Sequence, residues 1–266
     1  MMDYGMRGLR AVVTGADSGM GLATARLLLD EGVRVVISDR VPERIADAAR
    51  LLSDRGDVHA VIADLTSLAD VERLHDEALA HLGHVDILVN AAGITGAQGP
   101  FHTIGDDGWL EALQTDFMGA VRVVRAFVPG MMARGFGRIV LFGSEDAEQP
   151  YPVELPYCAA KAAILNLAKG LSKTYAKHGI RVNAVSPAFI ATPMTDAMMH
   201  KRARERGETF EAAIESFLKE ERPTLELQRR GDADEVAAAV LFLCSQQASF
   251  IHGTNLRVDG GSVATV

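Results

Sequence analysis

The sequence is poor in cysteine and has no long apolar run. Its two cysteines, Cys158 and Cys244, form no C-x-x-C pair and are too few for a disulfide framework, which is typical of a reducing compartment. Cysteine and histidine form no cluster at metal-ligand spacing, so we expect no metal site. No apolar run reaches the roughly 18 residues that a membrane-spanning helix needs.

Positive charge is also scarce. The chain has 27 Lys and Arg against 35 Asp and Glu, a net charge of −8 at pH 7. A net-negative chain has no general attraction for phosphate backbones or anionic lipid, so we expect neither nucleic acid nor a membrane as a partner. The opening residues, MMDYGMRGLR, contain no apolar core of a signal peptide, and we therefore expect a cytoplasmic protein.

What the sequence does contain is an alternation of short apolar runs with helical patterns. The runs predict strands at 9–13, 33–38, 58–63, 86–90, 138–142, 181–185 and 255–258, most of them apolar throughout, as in strands buried on both faces. The intervening patterns predict helices at 21–31, 45–55, 68–82, 109–134, 157–178 and 234–245. This alternation predicts an α/β fold, a doubly wound parallel sheet of about seven strands with helices on both faces.

No linker or repeat interrupts the alternation, so we predict one domain over residues 1–266. One long irregular stretch, 187–230, follows a predicted strand and has a polar, helix-prone middle at 198–220. Long segments after strand ends are usually binding loops or lids, and we interpret this one as the substrate loop.

A glycine-rich loop joins the first predicted strand to the first predicted helix. In this position Gly15 allows a tight turn, Gly19 lets the backbone approach a pyrophosphate, and Gly21 lets the helix pack closely on the strand. The free N–H groups of the helix then face the anion. The strand–loop–helix context predicts a Rossmann-type dinucleotide site that also includes Asp17, Ser18 and Met20.

Asp39 ends the second predicted strand, 18 residues beyond Gly21. A carboxylate at about this distance accepts hydrogen bonds from the adenine ribose and repels a 2′-phosphate, which favours NAD over NADP. Arg40 is the opposing signal, since an adjacent arginine can hold that phosphate.

Further motifs follow the strands in order. They are TGADSGMG at 14–21, Asp64, NAAG at 90–93, Ser144, YCAAK at 157–161, NAVSP at 183–187 and FIHGTNLRVDGG at 250–261. With these motifs the chain resembles the short-chain dehydrogenase/reductase family over nearly its whole length.

The chemistry of three residues agrees with that resemblance. Tyr157 and Lys161 are four apart on a predicted helix, so they share a face, and a nearby lysine lowers the pKa of a phenol. The phenol can then exchange a proton with a carbonyl oxygen during hydride transfer. Ser144 follows a predicted strand at the edge where open α/β sheets bind ligands, and its hydroxyl can hold the substrate oxygen.

The resemblance implies further residues around the cofactor. It places Asp64 and Leu65 at the adenine, and Tyr157 and Lys161 beside the nicotinamide ribose. The other implied positions are Asn90, Ala91, Gly93, Pro187, Ile190 and Thr192. It also implies a homotetramer with the helices of Trp109 and Tyr157 as a dimer surface. In the long central helix, Asp116 stands where the family carries a catalytic asparagine.

We therefore expect an NAD-dependent oxidoreductase that acts on a secondary alcohol or ketone. The alternatives are an NADP-linked reductase of 3-oxoacyl thioesters and a non-catalytic NAD-binding sensor.

The acidic residues after Ser144 bear on which substrate the protein binds. Glu145, Asp146, Glu148 and Glu154 either face water on a loop, or Asp146, with Glu148 as the alternative, accepts hydrogen bonds from a polar or cationic substrate group. In the second case, hydroxylated or amino-bearing ketones are favoured and anionic acyl thioesters disfavoured.

Overall fold

The computed structural model describes residues 3–265, and its centre is a parallel sheet of seven strands. The strands are β1 (Arg10–Thr14), β2 (Arg34–Asp39), β3 (Val58–Ile62), β4 (Ile87–Asn90), β5 (Gly137–Phe142), β6 (Ile180–Pro187) and β9 (Asn255–Val258). Their order is β3-β2-β1-β4-β5-β6-β9. The predicted α/β fold and the predicted seven strands are confirmed.

Helices cover both faces of this sheet. The helices of residues 3–265 are α1 (Gly19–Asp30), α2 (Pro42–Leu52), α3 (Leu68–Leu82), α4 (Asp106–Ala112), α5 (Gly119–Arg134), α6 (Leu155–Tyr175), α7 (Pro193–Arg206), α8 (Phe210–Glu221) and α9 (Ala233–Cys244). Of these, α7 and α8 pack in an apolar cluster apart from both sheet faces. None of the helices within residues 3–265 is long and apolar enough to cross a membrane.

The alternation of side chains between the two faces of the sheet explains why apolar residues follow one another in the strands. Successive side chains point to opposite faces, so Val12 packs in the layer with α3 and α5 while Val13 packs in the layer with α1 and α9. Both layers exclude water, so the middle positions of the inner strands β1, β2, β4 and β5 are apolar in succession.

The connections after β1 and β4 run in opposite directions across the sheet. A crevice therefore opens at the carboxyl ends of these two strands, which is the place where open α/β sheets bind ligands.

Two segments differ from the sequence prediction. The helix predicted at 109–134 is divided by a π-helical turn, Leu113–Met118, between α4 and α5. The stretch predicted as irregular, 187–230, is mostly helical: it holds α7, α8 and a short strand, β7 (Ile190–Ala191), which pairs with β8 (Gly231–Asp232).

We call the two helices of this stretch, α7 and α8, the cap. They pack around a small apolar cluster. Met199, Phe217, Leu218 and Leu225 are buried against Phe189 from the segment after β6. The side chains of Thr192 and Thr209 cap the amino ends of α7 and α8.

Candidate active site

The glycine loop between β1 and α1 leaves no room for a side chain at two of its glycines. Gly15 has φ +66°, and a Cβ there would lie 2.5 Å from the backbone nitrogen of Ala92. A Cβ on Gly21 would lie 2.1 Å from the carbonyl oxygen of Gly15, so the helix can approach the strand this closely only with glycine. The loop has the tightness that a backbone cradle for a pyrophosphate requires.

A groove of about 450 Å³ opens above this loop. Of the residues predicted from the sequence, its walls include Gly15, Asp17, Ser18, Gly19, Met20, Gly21, Asp39, Arg40, Asp64, Leu65, Ala91, Gly93 and Thr192. Arg44, Thr66, Ile94, Thr115 and Met194 line it as well and were not predicted. The donors, the depth and the glycine floor fit a dinucleotide.

Five predicted cofactor residues are not part of the groove wall: Tyr157 and Lys161, which are described below, and Asn90, Pro187 and Ile190. Asn90 is buried, and its Oδ1 accepts a hydrogen bond from Thr14 Oγ1 at 2.8 Å, which ties the ends of β4 and β1 together. Pro187 ends β6, and Ile190 packs in the apolar layer beneath the site. Their contacts in this structure are with the protein.

Ser144, Tyr157 and Lys161 come together beside the carboxyl end of β5. Ser144 follows the strand by two residues, and the other two lie on α6, which begins at Leu155 with Pro156 in its first turn. The ammonium of Lys161 is buried, donates to the carbonyl oxygen of Phe142 at 3.1 Å, and lies 5.4 Å from the centre of the Tyr157 ring.

Asp116 joins this group from the π-helical turn, a feature often found at functional sites. Its Oδ1 accepts the Ile94 N–H at 2.8 Å. A Cβ built on Gly93 would lie 3.2 Å from both Asp116 Oδ1 and Lys161 Nζ, so this glycine leaves the space between the two charges open. Burial raises the pKa of Asp116, while the charge of Lys161 and the Ile94 bond oppose that rise.

Comparison with known proteins agrees with this geometry. A family model described as "Enoyl-(Acyl carrier protein) reductase" matches residues 15–263. The cis-4-hydroxycyclohexanecarboxylate dehydrogenase of Sinomonas cyclohexanicum is 37% identical over 257 residues, 96% of each chain. L-sorbose reductase from Gluconobacter frateurii, solved with NADPH and L-sorbose, has a TM-score of 0.94 and 34% identity, with both chains covered at 100%. An NAD⁺-bound xylitol dehydrogenase has a TM-score of 0.88 at 27% identity, covering 96% of this chain and 99% of its own.

The chain belongs to the short-chain dehydrogenase/reductase family. It is therefore an oxidoreductase of alcohols and ketones that uses a nicotinamide cofactor. The family and the general activity predicted from the sequence are confirmed.

The phenol of this dehydrogenase/reductase has an environment that differs from the sequence prediction. Burial raises the pKa of Tyr157 well above its ordinary value of 10; the charges of Asp146 and Asp116 raise it further, and hydrogen bonding with Ser144 opposes them. This direction is opposite to the lowering that the sequence predicts from Lys161. With this pKa the phenol is protonated at neutral pH, as a proton donor to a carbonyl oxygen must be.

Of the four acids that follow Ser144, one is exposed to solvent and three are buried. Glu148 is exposed: it accepts from Asn255 Nδ2 at 2.5 Å and faces Arg257. Glu145, Asp146 and Glu154 are buried, with exposed fractions of 2%, 6% and 8%. The expectation that all four might face water on a loop is therefore wrong for these three.

Arg222, at the end of α8, crosses from the cap to this buried group. Its guanidinium donates to Glu154 Oε1 at 2.7 Å, lies 3.5 Å from Glu145 Oε1, and stacks 3.4 Å from the centre of the Tyr151 ring. The sequence gives no signal for this contact, since Arg222 lies 68 residues from Glu154 in a charged run. We call Glu145, Glu154 and Arg222 the latch, because their ion pairs join the cap to the segment that follows Ser144.

The buried carboxyls make the stability of the fold depend on pH. Burial raises the pKa of Glu145 from 4.5 to about 7, and the charge of Arg222 partly opposes that rise. A raised folded-state pKa means that ionising Glu145 destabilises the protein: the cost is absent below about pH 4 and fully present above about pH 7.

We predict that Glu145→Gln stabilises the protein at pH 8 by about 1 to 3 kcal/mol and by nearly nothing at pH 4. Urea unfolding at the two pH values measures the difference. Glu148→Gln removes the same charge from an exposed position and serves as the control. An equal effect of Glu145→Gln at both pH values contradicts the prediction.

Proposed function

We propose that the protein transfers a hydride between NAD(H) and a secondary alcohol or ketone, with Tyr157 as general acid and base. The observation that carries the proposal is the meeting of Ser144, Tyr157 and Lys161 beside the glycine-floored groove. Assembly as a homotetramer belongs to the proposal through the family resemblance, and a cytoplasmic location through the low cysteine content, which is typical of a reducing compartment.

The protein's part in the reaction is to hold the carbonyl and to move a proton. When bound in the groove, the nicotinamide supplies the hydride to the carbonyl carbon, or accepts it from the alcohol. Ser144 donates a hydrogen bond to the substrate oxygen, and the Tyr157 phenol gives that oxygen its proton as the negative charge develops. Asp116, which faces Lys161 across Gly93, raises the pKa of the Tyr157 phenol.

The adenine end of the groove favours NAD. Asp39 ends β2 on the groove wall, and its Oδ1 accepts the Arg40 N–H at 2.7 Å, which leaves carboxylate lone pairs for ribose hydroxyls. Arg44, the nearby cation that could hold a 2′-phosphate, is paired with Asp17 at 2.8 Å and donates to Ser18 Oγ at 3.0 Å. Two carboxylates therefore face the place where that phosphate would bind.

We predict that Asp39→Ala narrows the preference for NADH over NADPH about ten-fold or more, which corresponds to ~1.4 kcal/mol. The dissociation constants of the two reduced cofactors, measured by fluorescence titration, report this without turnover. Glu43→Ala removes an exposed acid from the same region and is the control. A wild-type protein that already binds NADPH more tightly than NADH contradicts the assignment and leaves Arg40 and Arg44 as the determinants.

A further inference from the structure

The hydroxyl of Ser144, which the reaction needs, is engaged by a neighbouring acid. Ser144 Oγ donates to Asp146 Oδ1 at 2.9 Å, and the Asp146 N–H donates back to Ser144 Oγ at 3.3 Å. A hydroxyl has only one proton to donate. While Ser144 donates to Asp146, it cannot donate to a substrate carbonyl.

Asp146 has few other donors. The latch arginine gives its close contacts to Glu154 and Glu145. Asp146 Oδ2 has the thiol of Cys158 at 3.9 Å, a weak donor whose pKa is raised to about 11 by burial. If Ser144 turns towards a substrate, Asp146 loses its strongest hydrogen bond. The Asp146 side chain remains buried, since the residue is only 6% exposed. A buried carboxylate without a donor costs free energy.

We propose that Asp146 selects ketones that carry a hydroxyl group on the carbon next to the carbonyl. Such a hydroxyl donates to Asp146 in place of Ser144, and the released Ser144 hydroxyl donates to the carbonyl oxygen. The exchange keeps the number of hydrogen bonds on the carboxylate constant. A plain ketone offers no donor, so it must either leave Asp146 unpaired or leave Ser144 turned away.

This inference rests on the proposed function and names its substrate class. The same site disfavours anions: Glu145, Asp146 and Glu154 are three buried carboxyls, and among them Arg222 forms ion pairs only with Glu145 and Glu154. A carboxylated ketone or an acyl carrier would bring further negative charge beside these carboxylates. The favoured substrate is therefore neutral and hydroxylated, like the alcohol–ketone pair of a sugar alcohol.

The test compares two ketones with the same carbon skeleton, 1-hydroxy-2-butanone and 2-butanone. We expect wild-type kcat/KM to be at least about ten-fold higher for the hydroxylated ketone. Asp146→Ala should lower it about ten- to a hundred-fold for that ketone, the range of a hydrogen bond to a charged group, and leave 2-butanone unchanged or improved. Asp146→Asn keeps an acceptor oxygen and should retain part of the preference. Glu148→Gln, which removes an exposed acid on the same segment, should behave as wild type.

A second readout does not depend on turnover. Binding of 1,2-butanediol, measured by calorimetry in a Tyr157→Phe background, should weaken about ten-fold or more when Asp146→Ala is added. Equal changes for both ketones, or unchanged diol binding, overturn the role of Asp146. If the wild type turns over neither ketone with either cofactor, the proposed function fails, and the diol comparison still decides the inference.

Discussion

Tyr157→Phe lowers kcat by at least ~10²-fold, because the variant keeps the ring and loses the proton donor. The structure adds a reason to expect a large effect: the phenol is protonated at neutral pH, and the neighbouring acids Asp146 and Asp116 raise its pKa. The groove for the cofactor is built from other elements, so binding of NADH should stay within a few-fold of wild type. Steady-state kinetics and a fluorescence titration of NADH separate the two effects.

A matched control lies on the same helix. Tyr175, the last residue of α6, packs in the apolar layer, so Tyr175→Phe should leave kcat unchanged. Activity retained by Tyr157→Phe would remove this residue from the proton transfer and return the choice of acid to the carboxyls near Ser144.

Arg222→Met destabilises the protein by about 3 to 5 kcal/mol, the usual cost of removing one partner of a buried ion pair. Methionine fills a similar volume between Tyr151 and Phe217, so the loss reports charge rather than packing. For a chain of this length the melting temperature falls by about 10 °C. The effect is larger at pH 8 than at pH 5, because Glu145, whose pKa is about 7, is protonated at lower pH and needs the arginine less.

Arg229→Met is the control for this experiment. Arg229 pairs with Glu235 at 2.6 Å on the surface, and a pair exposed to this degree contributes about 1 kcal/mol or less. Adding Glu154→Gln to Arg222→Met should recover part of the lost stability. Equal melting temperatures for Arg222→Met and Arg229→Met would show that the latch contributes no more than a surface pair.

The features of this protein that depend on local sequence pattern could be predicted from the sequence. Consecutive apolar residues such as those at 35–37 predict strands because both faces of the sheet are covered. The glycine loop was predictable because its spacing meets steric limits at Gly15 and Gly21 that no other residue meets. Ser144, Tyr157 and Lys161 follow strand and helix positions that the pattern also fixes.

The parts that depend on contacts between distant segments were not predictable. The π-helical turn at Leu113–Met118 has no signature of its own in helical periodicity, yet it carries Asp116. The pairing of Arg222 with Glu154 joins segments 68 residues apart. Asp146 is buried beside Ser144 and Cys158 of α6, so a run of acids that looks solvated in the sequence is partly in the protein interior.

The cap has an interior of its own. Its cluster of Phe189, Met199, Phe217, Leu218 and Leu225 shares no buried residue with the two apolar layers that flank the sheet. Because Arg222 at the end of α8 contacts Tyr151 and Glu154, substitutions inside this cluster can shift the cap against the segment that precedes Tyr157. The apolar interior of the cap can therefore change independently of the layer that packs α6, and with it Tyr157 and Lys161, on the sheet.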